Sequence, residues 1–149
     1  MKAESAGQIR QAFQQAGLRC TPQRFAMLQY LMAEPAHPTA EQIFHAINSS
    51  DPRSSRATIY NNLHALTKAG MVCPVAVDSG PVRYEANQQR HHHFICERCG
   101  RLEDIAARDV RYHPRRLQLG RRVIQDFQIV FRGVCEKCRQ KPRRRTSAP

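Results

Sequence analysis

The sequence has few acidic residues: 12 Asp and Glu stand against 24 Lys and Arg in 149 residues, a formal net charge of +12. It also has no apolar run near the ~18 residues that a membrane span requires. Met1-Lys2-Ala3-Glu4-Ser5 is followed by no apolar stretch, so no secretory signal is expected and the cytoplasm is the expected compartment. No internal repeat is visible. Hydrophobic residues make up 41% of the chain, a little under the usual share, which predicts a modest core in one domain or two small ones. In a reducing compartment, the six cysteines point to metal or redox chemistry rather than to a disulfide framework.

The positive charge is unevenly placed. Residues 1–85 hold eight Lys and Arg against six acids, whereas residues 86–149 hold sixteen against six. Such a surface attracts polyanions at modest salt. The basic run Lys141-Pro142-Arg143-Arg144-Arg145 reads as a solvated, disordered tail over residues 141–149.

The apolar spacing predicts four helices and then strands. Ile9, Phe13, Ala16 and Leu18 share one helical face that Gly17 ends. Thr21-Pro22 opens a second helix with Phe25, Leu28, Leu31 and Met32. Thr39 caps a third with Ile43, Phe44 and Ile47, and a fourth runs from Arg56 to Ala69 before Gly70. Val72–Val77 and Val82–Ala86 then read as a hairpin around Asp78-Ser79-Gly80-Pro81. This order predicts a winged helix-turn-helix domain over 1–86 and a hinge over 87–90. A second, small α/β domain is predicted over 91–140, with strands His91–Ile95 and Arg101–Ile105, a helix Asp109–Leu119 and a strand Val123–Val130. The fold class is α+β.

Cys96-x-x-Cys99 with Cys135-x-x-Cys138 is the strongest chemical signal. Two tight turns can point four thiolates at one ion, making a closed tetrahedral zinc site that supports structure rather than catalysis. The competing reading is a pair of redox dithiols. Cys20 and Cys73 stand alone and read as buried thiols. In a strand, His91 and His93 face one side, about 7 Å apart, and can chelate an ion. Asp104 lies on the neighbouring strand and Glu85 just before the hinge. His37 sits between two prolines and taken alone reads as a solvated loop residue. On the fourth helix, Ile59, Leu63 and Leu66 cluster on one side, and Arg56, Tyr60, Asn61, His64 and Lys68 on the other. That polar face suits a recognition helix in a major groove, where Arg can pair with guanine and Asn with adenine. It equally suits an ordinary solvated helix.

The run from His91 to Asp104 resembles the signature of the ferric-uptake-regulator (Fur) family. Thr21-Pro22-Gln23-Arg24, His37-Pro38-Thr39-Ala40 and Ala57-Thr58-Ile59-Tyr60-Asn61-Asn62-Leu63 resemble it too, in family order across residues 8 to 139. Within the family the chain looks most like the peroxide-stress repressor branch. The resemblance implies a homodimeric, metal-dependent repressor, not an enzyme, that reads an A·T-rich palindrome in double-stranded DNA. Arg24, Arg53, Arg56, Tyr60 and Asn61 are the implied DNA-contacting residues. It implies a structural Zn²⁺ on Cys96, Cys99, Cys135 and Cys138, and a regulatory Fe²⁺ or Mn²⁺ on His37, Glu85, His91, His93 and Asp104. His37 and His91 would be the histidines oxidised when iron meets peroxide.

The chain departs from that branch at Glu85, where Asp is usual and where iron sensors of the family more often carry Glu. Asp104 points back to the peroxide branch. At the positions of a third metal site found in some members stand Arg90, His92, Arg111 and Phe127, which together cannot form one. A repressor that senses metal availability without peroxide chemistry is therefore the alternative within the family. Outside it stand a non-haem iron enzyme and a zinc-stapled RNA-binding module.

Overall fold

A computed structural model describes residues 6–33, 37–49, 54–75, 80–87, 89–111, 120–122 and 127–140. The chain divides into two units, Met1–Gln89 and Arg90–Pro149. The first holds α1 (Ala6–Gln15), α2 (Pro22–Ala33), α3 (Ala40–Asn48), α4 (Arg56–Lys68), β1 (Cys73–Val75) and β2 (Arg83–Glu85).

Local chemistry sets the helix ends. Thr21 Oγ1 accepts the Arg24 N–H at 3.3 Å, with Pro22 as the first helical residue. Thr39 and Gln42 form a reciprocal capping box at α3, with bonds of 3.2 and 2.8 Å. Ser55 caps α4 by accepting the Thr58 N–H at 3.1 Å. Helix α4 ends at Gly70, whose φ of +68° lets the Met71 N–H turn back onto the Leu66 carbonyl at 2.9 Å. The apolar faces then meet: Ile9 and Phe13 of α1, Met27, Leu28 and Leu31 of α2, Ile43 of α3, and Ile59, Leu63 and Leu66 of α4 are buried together with Met71 and Val72.

β1 and β2 pair antiparallel with Cys73 opposite Glu85 and Val75 opposite Arg83. Thr39 bridges Arg83, and the Tyr84 N–H donates to the Pro38 carbonyl at 2.9 Å. The segment ahead of α3 is thereby sewn onto the hairpin. Helices followed by this hairpin form the expected winged helix-turn-helix. Asp78 and Ser79 of the expected turn, and Ala76 and Val77 of the expected strand, lie outside the described residues.

The second unit is built on β3 (His91–Cys96), with β4 (Leu102–Ala106) antiparallel on one side and β5 (Val130–Gly133) parallel on the other. α5 (Glu136–Gln140) follows β5. Two expectations change here. The strand expected over Val123–Val130 instead starts at Val130 and ends at Gly133. Its limits follow the ladder with β3, which sets Val130 opposite His93 and Gly133 opposite Cys96, and not the local apolar spacing. Residues 123–126 lie outside the described residues. Asp109, expected to open a helix, instead closes a 3₁₀ turn, Ala107–Asp109, that has no side-chain cap; residues 112–119 of that helix also lie outside.

Cys20 and Cys73 are exposed, not buried as expected. Cys20 lies in the α1–α2 connection, and Cys73 begins an outer strand whose inward residue is Val75. No helix among the described residues is long and apolar enough to cross a membrane.

Candidate metal centres and nucleic-acid interface

The four paired cysteines converge. Their sulfurs all lie within 4.8 Å of one another, and Cys99 Sγ stands 3.8 Å from Cys135 Sγ. A tetrahedron with Zn–S bonds of about 2.3 Å has edges of about 3.8 Å, so the donor set fits zinc. β3 delivers Cys96 and turns at Gly100, whose φ is +68° and whose N–H donates to the Cys96 carbonyl at 2.8 Å. The second pair brackets the start of α5, where the Cys138 N–H donates to the Cys135 carbonyl at 3.0 Å. Arg98, inside the first turn, donates to the Cys138 carbonyl at 2.7 Å and ties the two turns together.

The thiols titrate unequally. The Cys135 N–H, 3.3 Å from Cys96 Sγ, is the main cause pulling Cys96 down to about 6. Hydrogen bonds with the Cys135 and Cys99 thiols push Cys138 up to about 12. A divalent cation removes this inequality, since it takes its ligands as thiolates.

A second donor group lies on the other end of the β3–β4 ladder. His93 stands opposite Asp104 in register, and β-strand alternation places His91 beside His93. The His91 and His93 Nε2 atoms are 3.1 Å apart, and each lies 3.6–3.7 Å from Asp104 Oδ1. An octahedral ion with bonds of about 2.1 Å has ligand edges of about 3.0 Å, so these donors need only small movements to share one. Two imidazole nitrogens and a carboxylate, with no sulfur, suit Fe²⁺ or Mn²⁺. His92 points the other way and stacks on Phe127 at 5.7 Å, while the Arg90 guanidinium lies 4.3 Å from the same ring. Burial, followed by the Arg90 charge, holds His92 below its ordinary value.

In the first unit, His37 is buried, not solvated as its loop position alone suggested. It is 2% exposed, and its Nε2 lies 2.8 Å from Glu85 Oε2, which is also buried. Its φ of +49° is unusual before a proline, where extended backbone is preferred. The Arg83 guanidinium donates to the His37 carbonyl at 3.1 Å and helps hold that conformation. Strain of this kind, about 1–3 kcal/mol, collects at functional sites. His37 and Glu85 thus form a preset pair of donors at the edge of the wing.

Arg56, Tyr60, Asn61, His64 and Lys68 are exposed along α4, while Ile59, Leu63 and Leu66 are buried. Tyr60, 54% exposed, is a large apolar side chain left in solvent. Arg24 is half-buried: its Nε donates to Asn62 Oδ1 at 3.1 Å and its Nη1 to the Arg19 carbonyl at 3.0 Å. It braces α4 against α2. Asn62 was missed from the sequence, because its partner is 38 residues away. Arg56 pairs with Glu41, another residue the sequence did not single out. Arg53 lies outside the described residues.

Residues 15–126 match the model of the ferric uptake regulator family. The chain belongs to that family. It is 36% identical over 135 residues to the peroxide-responsive repressor PerR of Staphylococcus aureus, covering 87% of this chain and 88% of that relative. The ferric uptake regulator of Helicobacter pylori, whose structure reveals three functional metal-binding sites, has the same fold: TM-score 0.74 at 23% identity, covering 95% of this chain and 99% of that one. The Pseudomonas aeruginosa ferric uptake regulator, solved with manganese, superposes with TM-score 0.67 at 26% identity, covering 86% and 98%. As a Fur-family protein, the chain is a metal-responsive regulator.

Proposed function

We propose that this chain is a homodimeric repressor that binds double-stranded DNA at an A·T-rich palindrome when a regulatory metal is bound, and that it senses peroxide by oxidation of its own histidine ligands. The observation that carries this reading is the pair of sulfur-free donor groups, His91–His93–Asp104 and His37–Glu85. His37, Glu85, His91, His93 and Asp104 would hold Fe²⁺ or Mn²⁺; Cys96, Cys99, Cys135 and Cys138 would hold Zn²⁺. Bound ferrous iron supplies the reaction with peroxide, whereas manganese does not.

The residues' own part is conformational. Donors drawn from both units make metal affinity depend on the angle between those units, and the metal therefore favours one angle by mass action. At a hundredfold excess over Kd this is about 2.7 kcal/mol. In a dimer, that angle sets the spacing of two α4 helices along the duplex. Arg53, Arg56, Tyr60 and Asn61 would contact DNA directly. Arg24 would act through Asn62. Loss of one imidazole as a ligand releases the angle and with it the DNA.

Glu85 favours a second reading, a repressor that answers to metal availability alone. Peptide mass spectrometry separates the two. Protein loaded with Fe²⁺ under anaerobic conditions is exposed to mild peroxide beside a Mn²⁺ control. One added oxygen on the His37 or His91 peptide, in the iron sample only, is the expected result. No added oxygen, with metal still driving DNA binding, establishes the second reading.

A further inference from the structure

Arg56 is held by two side chains of α3, Glu41 and Phe44. Its Nε donates to Glu41 Oε2 at 3.0 Å and its Nη2 to Glu41 Oε1 at 2.6 Å, a two-point fork. The guanidinium carbon lies 4.5 Å from the centre of the Phe44 ring. Glu41 Oε1 is also 3.1 Å from His45 Nε2, one helical turn away. All of this is on the solvent side: the Arg56 and Glu41 side chains are 61% and 47% exposed. Arg56 is also the first residue of α4, at the end of a recognition helix that approaches base edges.

We propose that Glu41 is a specificity-determining residue that restrains non-specific DNA binding by keeping Arg56 in a neutral pair; this rests on the DNA-binding reading of α4. Affinity for arbitrary DNA comes from cations that displace counterions from phosphates. A guanidinium already paired with a carboxylate displaces none. A phosphate that takes Arg56 must break two charge-assisted bonds and leaves a bare carboxylate facing DNA. The effect is large because residues 1–85 carry only two more basic than acidic side chains, so one carboxylate changes that balance by half. Weak non-specific binding matters to a repressor because the genome offers a vast excess of competing sites.

The test uses the full chain loaded with zinc and manganese, and a short mixed-sequence duplex titrated at several salt concentrations. E41Q keeps the shape of the side chain and removes its charge. It is expected to bind this duplex more tightly than wild type. Its slope of log K against log salt should steepen by about 0.9 for each added phosphate contact, one per protomer. The double variant E41Q with R56Q should lose that added slope, which assigns it to Arg56 rather than to a general change in charge. Thermal melting checks that both variants remain folded. An E41Q slope equal to wild type, or weaker E41Q binding, overturns the proposal. A wild-type protein that binds no duplex in any metal state defeats the DNA-binding reading itself, and the restraint falls with it.

Discussion

The two units are held together by different physics. In the first, twelve apolar side chains from four helices and the segment after α4 form one buried cluster. In the second, the buried residues among those described are Cys96, Leu102, Cys135, His92 and His93, and only Leu102 is an ordinary core hydrocarbon. Apolar burial contributes about 1.5–3 kcal/mol per large side chain, so the first unit has ample driving force of its own. Among its described residues, the second has a three-stranded sheet and few fully buried apolar side chains. Its four cysteines bring together the end of β3 and the start of α5, 39 residues apart from Cys96 to Cys135. On the proposed function, the first unit would be a self-sufficient reading head and the second a sensor whose order depends on metal.

Replacing one zinc ligand should break this contrast most sharply. Cys96→Ser leaves three thiols and opens the tetrahedron. Structural zinc in small domains contributes about 10–16 kcal/mol of apparent binding free energy, far more than the one buried hydrocarbon side chain among the described residues of this unit, Leu102, can replace. The β3–β5 ladder should lose its amide protection in hydrogen exchange while α1–α4 keep theirs. Equal protection in both units would mean that the second has a core independent of metal. The converse is Leu63→Ala, which removes a fully buried side chain of α4. It should cost about 2–5 kcal/mol and lower the melting temperature of the helices, with the zinc content by atomic emission unchanged. Gly100→Ala comes third. At φ +68°, a Cβ costs about 1–2 kcal/mol. No atom crowds that position, so the strain alone should speed the loss of zinc to a chelator without unfolding the first unit.

What was legible in the sequence followed the range of the interaction. Thr21-Pro22, Thr39 and Gly70 act within one helical turn, and α2 and α3 start, and α4 stops, where those residues say. The Cys-x-x-Cys spacing is equally local, and both pairs end on one tetrahedron. The spacing of His91 and His93 on a strand announced that they share a face. Other features depend on partners far along the chain. β5 could not be placed because its limits are set by a parallel ladder to β3. Residue type alone suggests burial for Cys20 and Cys73, yet exposure is decided by neighbours. The burial of His37 depends on Glu85, 48 residues away, and on a hairpin that draws its loop inward. The Glu41–Arg56 fork spans two helices. Arg56 was singled out as an implied DNA contact, but its partner Glu41 was not.

Acid should separate the two units again, through groups of opposite importance. Metal ligands must be deprotonated, so lowering the pH releases the ions and dissolves the element that organises the second unit. The first unit carries a much smaller acid-sensitive device. The hydrogen bond to Arg56 holds the Glu41 carboxyl below its ordinary value of 4.5. Because the folded state lowers it, the pair's contribution is complete above about 4.5 and is lost as the pH falls through the lower folded value. Exposure to solvent keeps that contribution small. Carbon-13 NMR of the Glu41 side chain should therefore show titration below 4.5, with the α1–α4 amide signals intact throughout. The β3–β5 signals should already have broadened at a higher pH as metal leaves. If the helices melt together with Glu41 protonation, the first unit depends on this surface pair as heavily as the second depends on its metal, and the contrast between a self-supporting head and a metal-ordered sensor fails.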